Sequence, residues 1–212
     1  MATNLILVLV MLTNLKLLAS SRLGASIRVV AAQGMVLGLL PVLAQAQELS
    51  LHFAALAAGT VALKGVVFPW LLFRALREAE VTREVEPYVG YITSILVGLA
   101  ALAASFWLGG RLPVPTVEAS SLLVPSALFS ILAGLFLIVA RKRAVNQVLG
   151  FLVLENGIYT FGVGIVAETP FLVELGVLLD AFVAVFVMGI AVYHINREFD
   201  HIEADRLDRL KG

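Results

Sequence analysis

Residues 145–167 read VNQVLGFLVLENGIYTFGVGIVA, twenty-three residues with a single formal charge, Glu155. At 1.5 Å per residue this run makes about 35 Å of helix, enough to cross a hydrocarbon core about 30 Å thick. Immediately before it stand Arg141, Lys142 and Arg143, and before those a second apolar run at 121–140. Further runs at 2–19, 27–44, 51–73, 88–108 and 171–195 bring the number to seven. The sequence therefore predicts an all-α, polytopic membrane protein of seven transmembrane helices, with short connectors and a charged tail at 196–212.

Composition points the same way. Hydrophobic residues make up 60% of the 212 and charged residues 14%, against about 25% charged in a typical soluble protein. A soluble domain of this size could not hide so much apolar surface, and the mean hydropathy of +0.99 agrees. Fifteen basic and fifteen acidic residues cancel, so no net field draws in nucleic acid. The absence of cysteine excludes disulfides, thiolate ligation of iron–sulfur clusters and thiol catalysis in this chain. His52, His194 and His201 match no zinc or haem spacing. No Walker loop, nucleophile elbow or metalloprotease helix is present. The first run ends in small residues like those of a cleavage site, yet no basic residue precedes it, so a retained span is expected.

Basic residues set the orientation. Alternate connectors and the tail carry Arg22, Arg28, Arg74, Arg77, Arg83, Arg141, Lys142, Arg143, Arg197, Arg206, Arg209 and Lys211, twelve of the fifteen. The opposite connectors carry only Arg111, and Lys16 and Lys64 lie inside spans. This split predicts an amino terminus outside the cell membrane and a tail in the cytoplasm.

The two halves echo each other. A basic turn, an apolar helix and an amide or acid occur at Arg28 to Gln33-Gly34 and again at Arg143 to Glu155-Asn156-Gly157. The span that follows carries one charge in each case, Lys64 or Asp180. A single transmembrane domain built as a possible parallel repeat follows: a three-helix unit at 1–78, a joining fourth span at 79–115, a second unit at 116–195 and the tail at 196–212.

Lys64, Glu155 and Asp180 all fall near mid-membrane, where an ionisable group costs at least ~2.5–3.5 kcal/mol on insertion scales. One reading is structural: Lys64 pairs with an acid and locks helices together. The other is a proton relay through Glu155, Asp180 and Lys64, in which a dehydrated carboxylate takes up and releases a proton as its surroundings change. Gln33 and Asn156 cannot titrate, but they can hold water or bond a carboxylate. Lys16 could serve as a partner, although snorkelling to the headgroups is easier near a span end. Glu174 sits near the outer end of the seventh span, in solvent or at an exit. Gly34-x-x-x-Gly38 lets helices approach closely. Gly150, Gly157, Gly162 and Gly164 serve packing or open a water file around Glu155. Pro69, five residues beyond Lys64, could free a carbonyl near the charge.

The block Gly150-Phe-Leu-Val-Leu-Glu155-Asn156-Gly157, with Leu172-Val-Glu174-Leu-Gly176 and Asp180-Ala-Phe, resembles hydrogenase-4 component E. Gln33, Leu63-Lys64-Gly-Val-Val-Phe-Pro69 and the ending Leu210-Lys211-Gly212 are similar too. The last three spans also look like the K component of respiratory complex I and the C component of the multisubunit sodium/proton antiporters. The resemblance implies a non-catalytic membrane subunit of an energy-converting hydrogenase or formate hydrogenlyase complex. It implies no cofactor in this chain, with nickel–iron and iron–sulfur centres in partner subunits. The partners implied are antiporter-like membrane subunits, a membrane subunit like the H component of complex I, and a soluble hydrogenase arm. Glu155 matches an intramembrane acid of the complex I K component; the motif around Asp180 departs from it. Two functions compete: proton or sodium translocation coupled to redox chemistry in the partners, and a non-conducting adaptor holding antiporter-like subunits against the redox arm. A self-contained transporter fits least, because no substrate pocket is signalled.

Overall fold

A computed structural model describes residues 2–38, 58–59, 61–78, 87–112 and 120–165. These form six α helices and one π-helical turn: α1 (Ala2–Ala19), α2 (Leu23–Gly38), the π turn (Leu63–Val67), α3 (Phe68–Glu78), α4 (Tyr91–Gly109), α5 (Leu123–Ala140) and α6 (Ala144–Ile165). The all-helical expectation holds among the described residues. Helices α4 and α5 are long and apolar enough to cross a membrane, while Thr3–Ala19 and Leu23–Gly38 are apolar but shorter. The seventh expected span, with Glu174 and Asp180, lies outside the described residues, as does the tail.

Each helix buries the face its spacing dictates. In α2, Leu23, Ile27, Val30, Ala31, Gly34 and Leu37 are buried, a stripe at helical period. In α4 the buried residues are the small Ser94, Gly98 and Ser105, while Ile92, Leu96, Leu99 and Trp107 are exposed. A helix that turns its polar hydroxyls inward and its large apolar side chains outward is built for a lipid surround. Helix α5 packs against α1, α4 and α6; α6 packs in turn against α2, and α1 against α2 and α4. Leu18, Ile27, Phe68, Phe129, Leu149 and Val153 join these helices in one buried core.

The closest contact is between α5 and α6. A Cβ on Gly134 would lie 2.5 Å from the Leu154 nitrogen and 2.6 Å from the Gly150 oxygen, and one on Gly157 2.7 Å from the Ile131 nitrogen. Gly157 therefore serves backbone-to-backbone packing, and the gap beside it is filled by α5 rather than open to water. The turn between these helices is pinned by Arg141. It is buried, donates to Leu18 O at 2.6 Å and Val89 O at 3.2 Å, and lies over the Tyr91 ring at 4.6 Å. By sequence Arg141 counts simply among the basic connector residues; in the fold it fastens the last turn of α1 to the start of α4.

A candidate charge site between α2, the π turn and α6

The site begins with a break in regular helix. The Phe68 N–H bonds Leu63 O, a reach of five residues instead of four, and Pro69 next to it has no N–H with which to continue the ladder. The widened turn carries Lys64 on its inner side, where the side chain is 7% exposed. Gly34 of α2 faces its stem: a Cβ there would lie 2.7 Å from Lys64 Cβ. Only a glycine lets the lysine lie this close to α2.

Lys64 Nζ reaches across to α6. It donates to Glu155 Oε1 at 2.8 Å and to Asn156 Oδ1 at 3.1 Å, and sits 5.7 Å from the centroid of the Tyr159 ring. Glu155 is 2% exposed. Its other oxygen, Oε2, has no hydrogen-bond partner among the described residues. One turn on, Thr160 Oγ1 donates to the Asn156 main-chain carbonyl at 2.7 Å. Lys64, Asn156, Pro69, Phe68 and Leu152 help line a cavity of about 10 Å³, room for about one water molecule.

A second polar group adjoins the first. Gln33 Nε2 lies 2.7 Å from Thr13 Oγ1, 2.7 Å from Asn14 Oδ1 and 3.2 Å from Val10 O. Asn14 Nδ2 donates to Ser130 Oγ at 2.8 Å, and Ser130 donates to Ser126 O at 2.9 Å. Gln33, Asn14, Ser130 and Ser126 are all buried, so they form a polar seam through α1, α2 and α5.

The structure thus brings together Lys64, Glu155 and Asn156, with Gln33 in the adjoining seam. Lys16 is exposed on α1 and takes no part. Asp180 and Glu174 fall outside the described residues. Sequence reasoning missed Tyr159, Asn14 and the π turn. Tyr159 stands four residues past Glu155, on the same helix face. Asn14 was visible only as a polar interruption near the end of a span. Among the described residues no group of three or more His, Cys, Asp or Glu could hold a metal ion.

Chemically, a buried ion pair whose carboxylate keeps one oxygen free can accept a proton there without first breaking its bond to lysine.

The chain is 34% identical over 192 residues to the uncharacterized protein Rv0085 of Mycobacterium tuberculosis, covering 89% of this chain and 86% of that protein. It is 32% identical over 120 residues to hydrogenase-4 component E of Escherichia coli K12, and the same holds for that component in Shigella flexneri. That second match covers 56% of this chain and spans about half of the relative, 55% of its length. No family model matches the chain, and no solved structure does.

Proposed function

The chain belongs to the same family as the mycobacterial protein, and from that premise, together with the likeness to hydrogenase-4 component E, we propose that it is a membrane subunit of a hydrogenase-type, complex I-like assembly in which Glu155 and Lys64 take part in moving protons. The observation that carries the reading is the buried pair itself: 2.8 Å between Nζ and Oε1, with no partner for Oε2 among the described residues. A lock between helices has no use for an unsatisfied oxygen, since leaving a buried acceptor unpaired costs about 1–3 kcal/mol. A group that must gain and lose a proton does need one.

The wider picture rests on the same reading. The chain lies in the cytoplasmic membrane in seven spans, amino terminus outside, beside antiporter-like subunits and a soluble arm that holds the nickel–iron and iron–sulfur centres. Asp180 joins Glu155 and Lys64 in the relay, with Glu174 as a supporting polar residue. The packing of α1 on α5 and α2 on α6 supports a parallel repeat, because each pair joins equivalent helices of the two units.

The second reading, a non-conducting adaptor, draws on the same ion pair, since Lys64 meets both Glu155 and Asn156. One substitution separates the two. Glu155→Gln keeps volume and hydrogen bonding but cannot titrate. If the residue relays protons, the complex assembles in normal yield while proton uptake in vesicles is abolished or uncoupled from hydrogen chemistry. If the pair is a lock, yield falls, because stranding Lys64 costs about 3–5 kcal/mol. Normal assembly with normal pumping would remove Glu155 from the path.

A further inference from the structure

Two buried oxygens have no donor among the described residues: Oε1 of Gln33 and Oε2 of Glu155. Hydrogen-bond direction explains the first. The Ser126 carbonyl can only accept, so the Ser130 hydroxyl donates to it. Ser130 therefore accepts from Asn14 Nδ2, which turns Asn14 Oδ1 toward Gln33, and Gln33 must donate to it from Nε2. Every link runs one way. Flipping the Gln33 amide would set oxygen against the oxygens of Val10 and Asn14, so Oε1 stays where it is, an acceptor without a donor.

The two oxygens belong to neighbouring helices that pack on each other, α2 and α6. Ile27, Val30 and Ala31 of α2 line the small cavity with Leu152 and Asn156 of α6. Further along both helices, Leu37 shares a buried cluster with Tyr159. Residue numbers rise together, so α2 and α6 run parallel. Gln33 falls between the two levels on α2, and Glu155 sits at the upper edge of the cavity level on α6, one residue before Asn156; Gly34, next to Gln33, abuts the stem of Lys64, whose Nζ bonds Glu155. Each is a buried acceptor lacking a donor among the described residues, and a proton carried by Oε2 would supply the donor that Gln33 Oε1 lacks.

We propose that Gln33 is the positioning residue for a proton held on Glu155: the carboxylic O–H at Oε2 donates to Gln33 Oε1, directly or through one water. The inference rests on the relay reading of Glu155. It gives the site two states. In one, the carboxylate is held by Lys64 through Oε1. In the other, the acid is held by Gln33 through Oε2. One O–H bond forms at Oε2 and the same bond breaks when the proton leaves; Lys64 stays an ammonium, so the pair passes from neutral to a single positive charge. On the described elements around the pair, α5 carries no charged residue, α1 carries Lys16, α2 carries Arg28, and α3 carries Arg74, Arg77 and Glu78 in its second half. Tyr159 is the ionisable neighbour on α6 itself.

Difference infrared spectra of the membrane-reconstituted full chain, recorded as pH is lowered, test this. The carboxylic C=O band that Glu155→Gln removes belongs to Glu155. We expect it at the frequency of a hydrogen-bonded acid, and we expect Gln33→Met to shift it upward, toward that of a free acid. A band that stays put in Gln33→Met overturns the role of Gln33 and leaves the relay reading standing. No Glu155 band at any accessible pH overturns both. Should Gln33→Met fail to fold, the wild-type frequency decides, since a free-acid value there is incompatible with the bond to Gln33.

Discussion

A hydrogen atom on Gly34 occupies the place where a methyl group would meet Lys64 Cβ at 2.7 Å, Cδ at 3.0 Å and Cγ at 3.3 Å. The first of these atoms is fixed to the backbone, so the contact cannot be relieved by swinging the far end of the side chain. Gly34→Ala is expected to destabilise the protein by about 1–3 kcal/mol, the usual cost of overpacking, and to lengthen the Lys64–Glu155 contact. Gly90→Ala is the matched control, because a Cβ there meets nothing within 4 Å. Thermal melts of the two variants in detergent check the difference; equal melting temperatures would show that α2 yields freely. At this scale the sequence was partly legible. A lysine and a glutamate deep in apolar runs each demand a partner on energetic grounds, and their depth made them suitable for each other. The donor order that leaves Gln33 Oε1 bare was not legible, because it depends on Ser130 and Asn14, which are 116 residues apart and unremarkable in their own helices.

Among the elements, the π turn at Leu63–Val67 has the most to say about function. Pro69 looked from the sequence like a kink that frees a carbonyl; the fold meets the missing N–H by widening the preceding turn, so that Phe68 bonds Leu63. Each residue of an α helix advances the side chain by about 100°, and the extra residue of a π turn resets the phase of everything before it relative to α3. Lys64 faces α6 because of that offset. Pro69→Ala restores an N–H and allows the turn to tighten, which is expected to rotate Lys64 away from Glu155. The expected result is unchanged helix content by circular dichroism with proton uptake reduced in vesicles, and uptake at the wild-type rate would show that packing alone holds the turn. The helix positions themselves followed from apolar run length, and α1, α4, α5 and α6 end within about three residues of the runs that predicted them, the scatter usual for helix boundaries. The glycine contact of α5 with α6 was legible only as an ambiguity. Spacing said that Gly150 and Gly157 share a region; only the partner helix says that they are filled rather than wet.

For the whole molecule, the basic split predicts that the α5–α6 turn faces the cytoplasm. A cysteine introduced at Ala144, beside that turn, is expected to label from the cytoplasmic side alone in sealed vesicles, and labelling only from the periplasmic side would reverse the topology. The same turn ties the ends of the chain's first and fifth described helices together, for Arg141 bonds a carbonyl 123 residues earlier, on Leu18. That distance is also an interval of time. At roughly 5–20 residues per second of synthesis, the ribosome needs about 6–25 s to travel from Leu18 to Arg141. Throughout that interval the Leu18 carbonyl lacks this guanidinium donor, a fastener that the ribosome has yet to make. The bundle can therefore close at this end only once α5 has been delivered, although Gln33 of α2 is on hand to bond the middle of α1 long before.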